Sequence, residues 1–347
     1  MSQTKQNKMS QELSSKPSLE KLHQIFHPQM TELNQVIIDS LNSRVPLIPQ
    51  LAQYLIQAGG KRLRPHMTLA AAQLFNYQGN KNLCLAASVE LIHSATLLHD
   101  DVVDGSSTRR GKDAANTLWD NKSAVLVGDF LFARAFELMV QCQSLPILDT
   151  LSSASAKIVE GEVLQLTTAN NIETSVEQYM HVVKAKTAIL FGAACKAGAQ
   201  LANASEKDIE NIFSYGINLG IAFQISDDIL DFLSSGSLGK EVGDDFRDGK
   251  VTLPVIIAYS NASSPEEKAF WDRTINKSDH CEADLQKAMA YLHQHNAFQK
   301  SLDYAYQYSQ KSIDNINNIN IDSEITDALI QASKFSVQRA QLVIKAT

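Results

Sequence analysis

The sequence predicts an all-α protein built as one helical domain. Proline placement is the first sign: none lies between Pro65 and Pro146, or between Pro146 and Pro254, and helix interiors exclude proline. The tracts left open are rich in Ala, Leu and Gln, which favour helix. Alternating polar and apolar strand patterns are nearly absent. Linkers are short, and no composition shift marks an internal boundary.

Residues 1–16 read as a disordered polar tail, and residues 17–347 as the single domain. The opening MSQTKQNKMSQELSSKP has no apolar h-region and no arginine, which disfavours a signal peptide and a mitochondrial transit peptide. Helices are expected over 18–42, 47–58 and 66–77. In LCLAASVELIHSATLLHDD, Leu85, Val89, Ile92 and Thr96 keep three- and four-residue spacing, and Leu91, Ala95 and Leu98 add a second stripe. That helix is apolar around most of its girth and belongs in the centre of a bundle. Further helices are expected over 123–142, 147–168, 175–200, 206–232, 252–260, 265–276, 282–294, 296–316 and 322–345. SSGSLGKEVGDDFRDGK (Ser234 to Lys250) is the longest glycine-rich break, and the region after about 260 carries no assignable motif.

Composition narrows the function. A hydrophobic content of 44% and a charged content of 20% fit a soluble globular protein. A net charge of −7 argues against nucleic acid, which calls for a basic face. No run reaches the ~18 apolar residues needed to span a bilayer. Cys84, Cys142, Cys195 and Cys281 are far apart with no CxxC pair, so reduced thiols in a cytoplasmic protein are expected rather than disulfides or a zinc site.

Two acidic clusters point to chemistry. LLHDDVVDGSSTRRG holds Asp100 and Asp104, and FQISDDILDF holds Asp227 and Asp231. Residues four apart share one helix face, about 6 Å apart along the axis, while Asp101 and Asp228 point about 100° away. Each helix then ends in two aligned carboxylates, where the dipole already disfavours anions. Oxygen donors with room for water suit Mg²⁺, which takes one or two carboxylates plus substrate phosphates. A solvated acidic surface is the alternative for either cluster alone. Two clusters of equal spacing, each after an apolar helix, favour the metal.

Phosphate oxygens beyond the metal need Arg or Lys. GGKRLRP supplies Lys61, Arg62 and Arg64; Arg109 and Arg110 follow the first acidic cluster; Lys186, Lys240 and Lys250 come later. A solvated surface charge is the alternative for each. Taken together they suggest one metal-mediated phosphate site and one metal-free site built from Lys61, Arg64 and Arg110.

These stretches, with VLVGDFLFARAF, KTAILF and GKEVGDDFRDGKVTLP, resemble the successive signatures of trans-isoprenyl diphosphate synthases, in family order over about residues 45–260. The similarity is closest to long-chain members of the octaprenyl diphosphate synthase type, which make quinone side chains. The resemblance implies a helical bundle around a deep central cavity (the isoprenoid synthase type), usually a homodimer. It implies that Asp100, Asp104, Asp227 and Asp231 bind Mg²⁺ holding an allylic diphosphate, farnesyl or geranylgeranyl. Arg109, Lys186, Lys240 and Lys250 would contact that diphosphate; Lys61, Arg64, His93 and Arg110 would hold isopentenyl diphosphate; Thr187 and Gln224 would face the reacting carbons. Gly105 stands where the family usually has an acidic residue, which affects the loop rather than the metal.

The implied reaction is ionisation of the allylic C–O bond, attack by the isopentenyl double bond, and proton loss. The helix before Asp100 would measure the product: Ala95 or Thr96, then Ile92, then Ser88, should face the cavity. Ala95 and Thr96 are small, so a chain could pass toward a floor near Phe132, Phe136 and Met139; octaprenyl (C40) is the expected product. Peripheral membrane contact would serve its release. A silent partner subunit would have lost one acidic cluster. A terpene cyclase would not need the second cationic site, and a helical scaffold would need neither.

Overall fold

The computed structural model describes residues 17–57, 59–109, 111–233 and 242–346. The tail at 1–16, Arg110 and Lys240 lie outside the described residues. The helices run α1 (Glu20–Ser40), α2 (Leu47–Gln57), α3 (Leu63–Leu74), α4 (Lys81–Val103), α5 (Ala115–Leu118), α6 (Asn121–Gln141), α7 (Leu145–Thr168), α8 (Val176–Val183), α9 (Ile189–Leu201), α10 (Glu206–Leu233), α11 (Asp244–Arg247), α12 (Leu253–Asn261), α13 (Pro265–Trp271), α14 (Glu282–Gln294), α15 (Ala297–Asn317) and α16 (Glu324–Ile344). Among the described residues the strands are a two-residue pair, β1 (Thr108–Arg109) and β2 (Lys112–Asp113), antiparallel with Thr108 opposite Asp113.

Local signals explain the boundaries. Asp120 accepts from the Ser123 N–H at 2.7 Å and starts α6, and Ser175 with Gln178 forms a capping box on α8. The helix expected over 66–77 begins earlier, at Leu63, because Pro65 falls in its first turn, where no N–H is needed. It ends at Leu74 as Asn76 turns to φ 60°.

Two buried helices form the centre. Leu85, Val89, Leu91, Ile92, Ala95 and Leu98 are all fully buried on α4, which packs against α1, α3, α6 and α9. The long α10 packs against α9, α12, α15 and α16. The helix expected over 175–200 is interrupted: a π-helical turn, Lys184–Ala188, separates α8 from α9. Two glycines press on that turn. A methyl group on Gly161 of α7 would lie 2.8 Å from the Lys186 backbone nitrogen, and one on Gly220 of α10 would lie 2.7 Å from the Ala188 Cα. Only glycine permits such approach, so both helices touch the turn through backbone. A π-turn adds one residue to the helical repeat and is a frequent feature of functional sites.

Candidate active site

A cavity of about 680 Å³ opens where the C-terminal ends of α4 and α10 face the π-turn and α7. Asp100 and Asp104 line it from α4, and Asp227 and Asp231 line it from α10. The two acidic rows therefore share one space.

Protein cations sit among these carboxylates. The Lys250 ammonium lies 3.0 Å from Asp104, 3.1 Å from Asp248 and 3.6 Å from Asp245. Burial works to lower its pKa, but Asp245, Asp104 and Asp248 outweigh burial and hold it above the usual lysine range. Lys186 lies 2.7 Å from Glu162 and 4.0 Å from Asp100. Arg339, from the last helix, pairs with Asp227.

The middle aspartates turn inward, as the helical spacing requires. Asp101 is 1% exposed and takes both Nε (2.6 Å) and Nη2 (2.5 Å) of Arg109 on one oxygen. This fixes the turn that carries Arg109 to the cavity wall. Asp228 is 3% exposed and accepts from Tyr179 Oη at 2.5 Å and Gln224 Nε2 at 2.8 Å. Burial and the nearby Asp245 push its carboxyl up to about 7, against the pull of Tyr179, Gln224 and Lys250. Burial and Asp228 in turn hold Tyr179 well above its ordinary value. Because Asp228 takes the Gln224 amide N–H, the Gln224 oxygen is left to accept from Thr187 Oγ1 at 2.9 Å. The Gln224 and Thr187 dipoles are thereby fixed in the cavity wall.

A second cationic group lies elsewhere in the cavity lining. Gly59 and Gly60, both at positive φ, lead into Lys61. Arg64 contacts His93 Nε2 at 3.1 Å and lies 4.4 Å from the Phe191 ring centroid. Lys61 is 5.2 Å from the Phe223 and Phe335 rings, and Arg339 is 4.1 Å from Phe223. Cations over ring faces keep part of their stabilisation when desolvated. Burial, then the Arg339 charge, lowers the Lys61 pKa to about 8, and burial lowers that of Arg339 to about 10.

Of the two positions expected to set chain length, Ala95 or Thr96, the structure brings Thr96 to the cavity. Ala95, Ile92 and Ser88 are fully buried and do not line it. Close packing all around α4 takes those side chains into the core. Phe132, Phe136 and Met139 do not line it either: Phe132 stacks on His99, Phe136 is partly exposed and Met139 is buried.

The sequence reading missed Arg339, Glu162 and Tyr179. Arg339 sits on α16 between Val337 and Ala340, both fully buried, but Gln338 and Gln341 flank it, so the local sequence does not set its charge apart from an ordinary polar helix face. Glu162 follows Gly161 on α7; burial and Asp100 raise its pKa to about 7 against the opposing effect of Lys186. Tyr179 carries no sequence signal beyond its buried place on α8.

A family model described as polyprenyl synthetase matches residues 45–292. The chain belongs to the polyprenyl synthetase family. Octaprenyl diphosphate synthase of Haemophilus influenzae is 40% identical over 323 residues, 93% of this chain and 97% of that protein. The Escherichia coli octaprenyl diphosphate synthase is 45% identical over 251 residues, 72% of this chain and 77% of that one. Among solved structures, a Caulobacter crescentus polyprenyl synthase complexed with calcium and isoprenyl diphosphate superposes with TM-score 0.91 at 45% identity, covering 94% of this chain and 99% of that one. A Rhodobacter capsulatus decaprenyl diphosphate synthase gives 0.89 at 44%, covering 93% and 99%. As a polyprenyl synthetase of the long-chain trans type, the chain is a prenyltransferase with the all-α fold of those structures.

Proposed function

We propose that this prenyltransferase condenses isopentenyl diphosphate repeatedly onto farnesyl or geranylgeranyl diphosphate, with Mg²⁺, to give octaprenyl diphosphate for quinone side chains. One observation carries the assignment of sites: two carboxylate rows line the same cavity as a cationic group of Lys61 and Arg64, with Arg339 standing between that group and Asp227. Asp100, Asp104, Asp227 and Asp231 fit Mg²⁺ by donor chemistry, and among the described residues Lys250 pairs with Asp104 and Arg339 with Asp227, while the Lys186 ammonium stands 4.0 Å from Asp100. Among the described residues no three His, Cys, Asp or Glu groups converge on one ion position. Mg²⁺ commonly keeps waters and takes diphosphate oxygens as its remaining ligands.

When bound, Mg²⁺ would neutralise charge on the leaving diphosphate as a Lewis acid. Arg109, Lys186 and Lys250 bind the same diphosphate, exchanging carboxylate partners for phosphate oxygens. Lys240 joins them on the family pattern. Lys61, Arg64, His93 and Arg339, with Arg110, hold isopentenyl diphosphate so that its double bond faces the allylic carbon. The allylic C–O bond ionises and the diphosphate departs with the bonding pair; the isopentenyl double bond then attacks the allylic cation, and the adduct loses a proton to the departing diphosphate. Gln224 and Thr187, locked by Asp228, direct oxygen dipoles toward the developing cation. The cavity also presents Leu97, Ile158, Val183 and Phe191 for the prenyl chain.

The protein acts as a homodimer in the cytoplasm. Val159, Val163 and Leu166 form an exposed stripe on α7, and Leu126 and Val140 are exposed on α6; exposed apolar residues of this kind suit an interaction surface. No helix among the described residues is long and apolar enough to cross a membrane, and product release is assigned to peripheral contact. The test is mass analysis of products from labelled isopentenyl diphosphate, farnesyl diphosphate and Mg²⁺. A C40 product is expected. Consumption of farnesyl diphosphate without incorporation of isopentenyl units would refute the synthase reading.

A further inference from the structure

Glu162 belongs to neither acidic row, yet it reaches the first one. Gly161 sets α7 in backbone contact with the π-turn, so the next residue is carried against Lys186. One Glu162 oxygen takes the Lys186 ammonium at 2.7 Å. The other is buried and has no donor among the described residues. The same ammonium is 4.0 Å from Asp100. A lysine stem with four rotatable bonds closes such a gap readily, and a Lys186–Asp100 pair would then occupy the carboxylate that a divalent cation needs.

We infer that Glu162 is a positioning residue for the first acidic row: it holds the Lys186 ammonium off Asp100, keeping that carboxylate open to a divalent cation. The inference rests on the reading of Asp100 as a metal ligand. It also gives Lys186 two stations, Glu162 before substrate arrives and a diphosphate oxygen afterwards. Lys186 is never the fixed partner of Asp100.

The test is equilibrium Mn²⁺ binding to the intact protein without prenyl substrates, read from the paramagnetic resonance of the free ion. Glu162→Gln keeps the shape and should weaken Mn²⁺ binding about tenfold, a coupling of ordinary size for contacting groups. In a Lys186→Met background, with no ammonium to restrain, the same substitution should cost less than about threefold. An unchanged affinity in Glu162→Gln overturns the inference. So does an equal loss in both backgrounds, which would make Glu162 a direct electrostatic contributor. Asp100→Asn separates the two readings. If it abolishes binding while Glu162→Gln does nothing, only the inference fails. If it leaves Mn²⁺ binding unchanged, the metal assignment fails and the inference falls with it.

Discussion

Replacing Arg339 with Met should damage the second diphosphate site more than the first, although it also removes the guanidinium paired with Asp227. The side chain is 11% exposed, stacks on Phe223 and stands close enough to Lys61 to lower its pKa. Methionine keeps most of the volume and removes the charge. A hydrogen bond from a charged donor to phosphate contributes about 1.5–3 kcal/mol. The KM for isopentenyl diphosphate should therefore rise ~10- to 100-fold, while the KM for the allylic substrate stays within about threefold. The pH profile gives an independent reading. Lys61, with its pKa near 8, loses its proton as pH rises through that value. Losing a cation weakens anion binding, so kcat/KM for isopentenyl diphosphate should fall on the alkaline side of about 8. Removing Arg339 takes away the second cause of that lowering, so the alkaline limb should move to higher pH; burial keeps it below the ordinary lysine value. Initial rates with labelled isopentenyl diphosphate at saturating allylic substrate measure both effects. An isopentenyl KM within twofold of the parent, or a rise in the allylic KM instead, would refute the placement of Arg339 in this subsite.

Asp100→Asn and Asp227→Asn should each lower turnover by about 10³-fold, with an unchanged far-ultraviolet helix signal. A chelator should stop the reaction, and added Mg²⁺ should restore it. Gly161→Ala drives a methyl into the π-turn backbone and should destabilise by ~1–3 kcal/mol, seen as a lower Tm together with reduced turnover. Thr96→Phe should shorten the product on chromatography. Ala95→Phe should instead lower Tm, because that position is packed core; a product shortened by Ala95→Phe with Tm unchanged would reverse this assignment.

Much of the fold was legible because helix signals are local. The girth of apolar residues on α4 announced a central helix, and proline punctuation bounded the rest. The π-turn was hidden, since nothing between Tyr179 and Phe191 differs in composition from continuous helix. Its cause lies in Gly161 and Gly220, which come from other helices. At the site, the four-residue spacing placed Asp100 with Asp104 and Asp227 with Asp231 on one helix face each, and all four line the cavity. Arg339 is separated by over 100 residues from its partner Asp227, and no local pattern encodes that meeting. Ala95 and Thr96 are adjacent, and which of the two faces the cavity depends on how α4 is rotated against α6. That rotation is set by packing, which spacing along one chain does not fix.

The inward aspartates change how a substitution scan of either acidic stretch must be read. Swapping Asp101 or Asp228 for a neutral residue would cripple output without touching an ion. The first change lets an arginine drift from its turn, and the second lets an amide flip beside the reacting carbons. Ranking positions by lost output would group all six carboxylates as ligands. On the metal assignment proposed above, titrating each variant with metal should divide them into four that grip and two that brace.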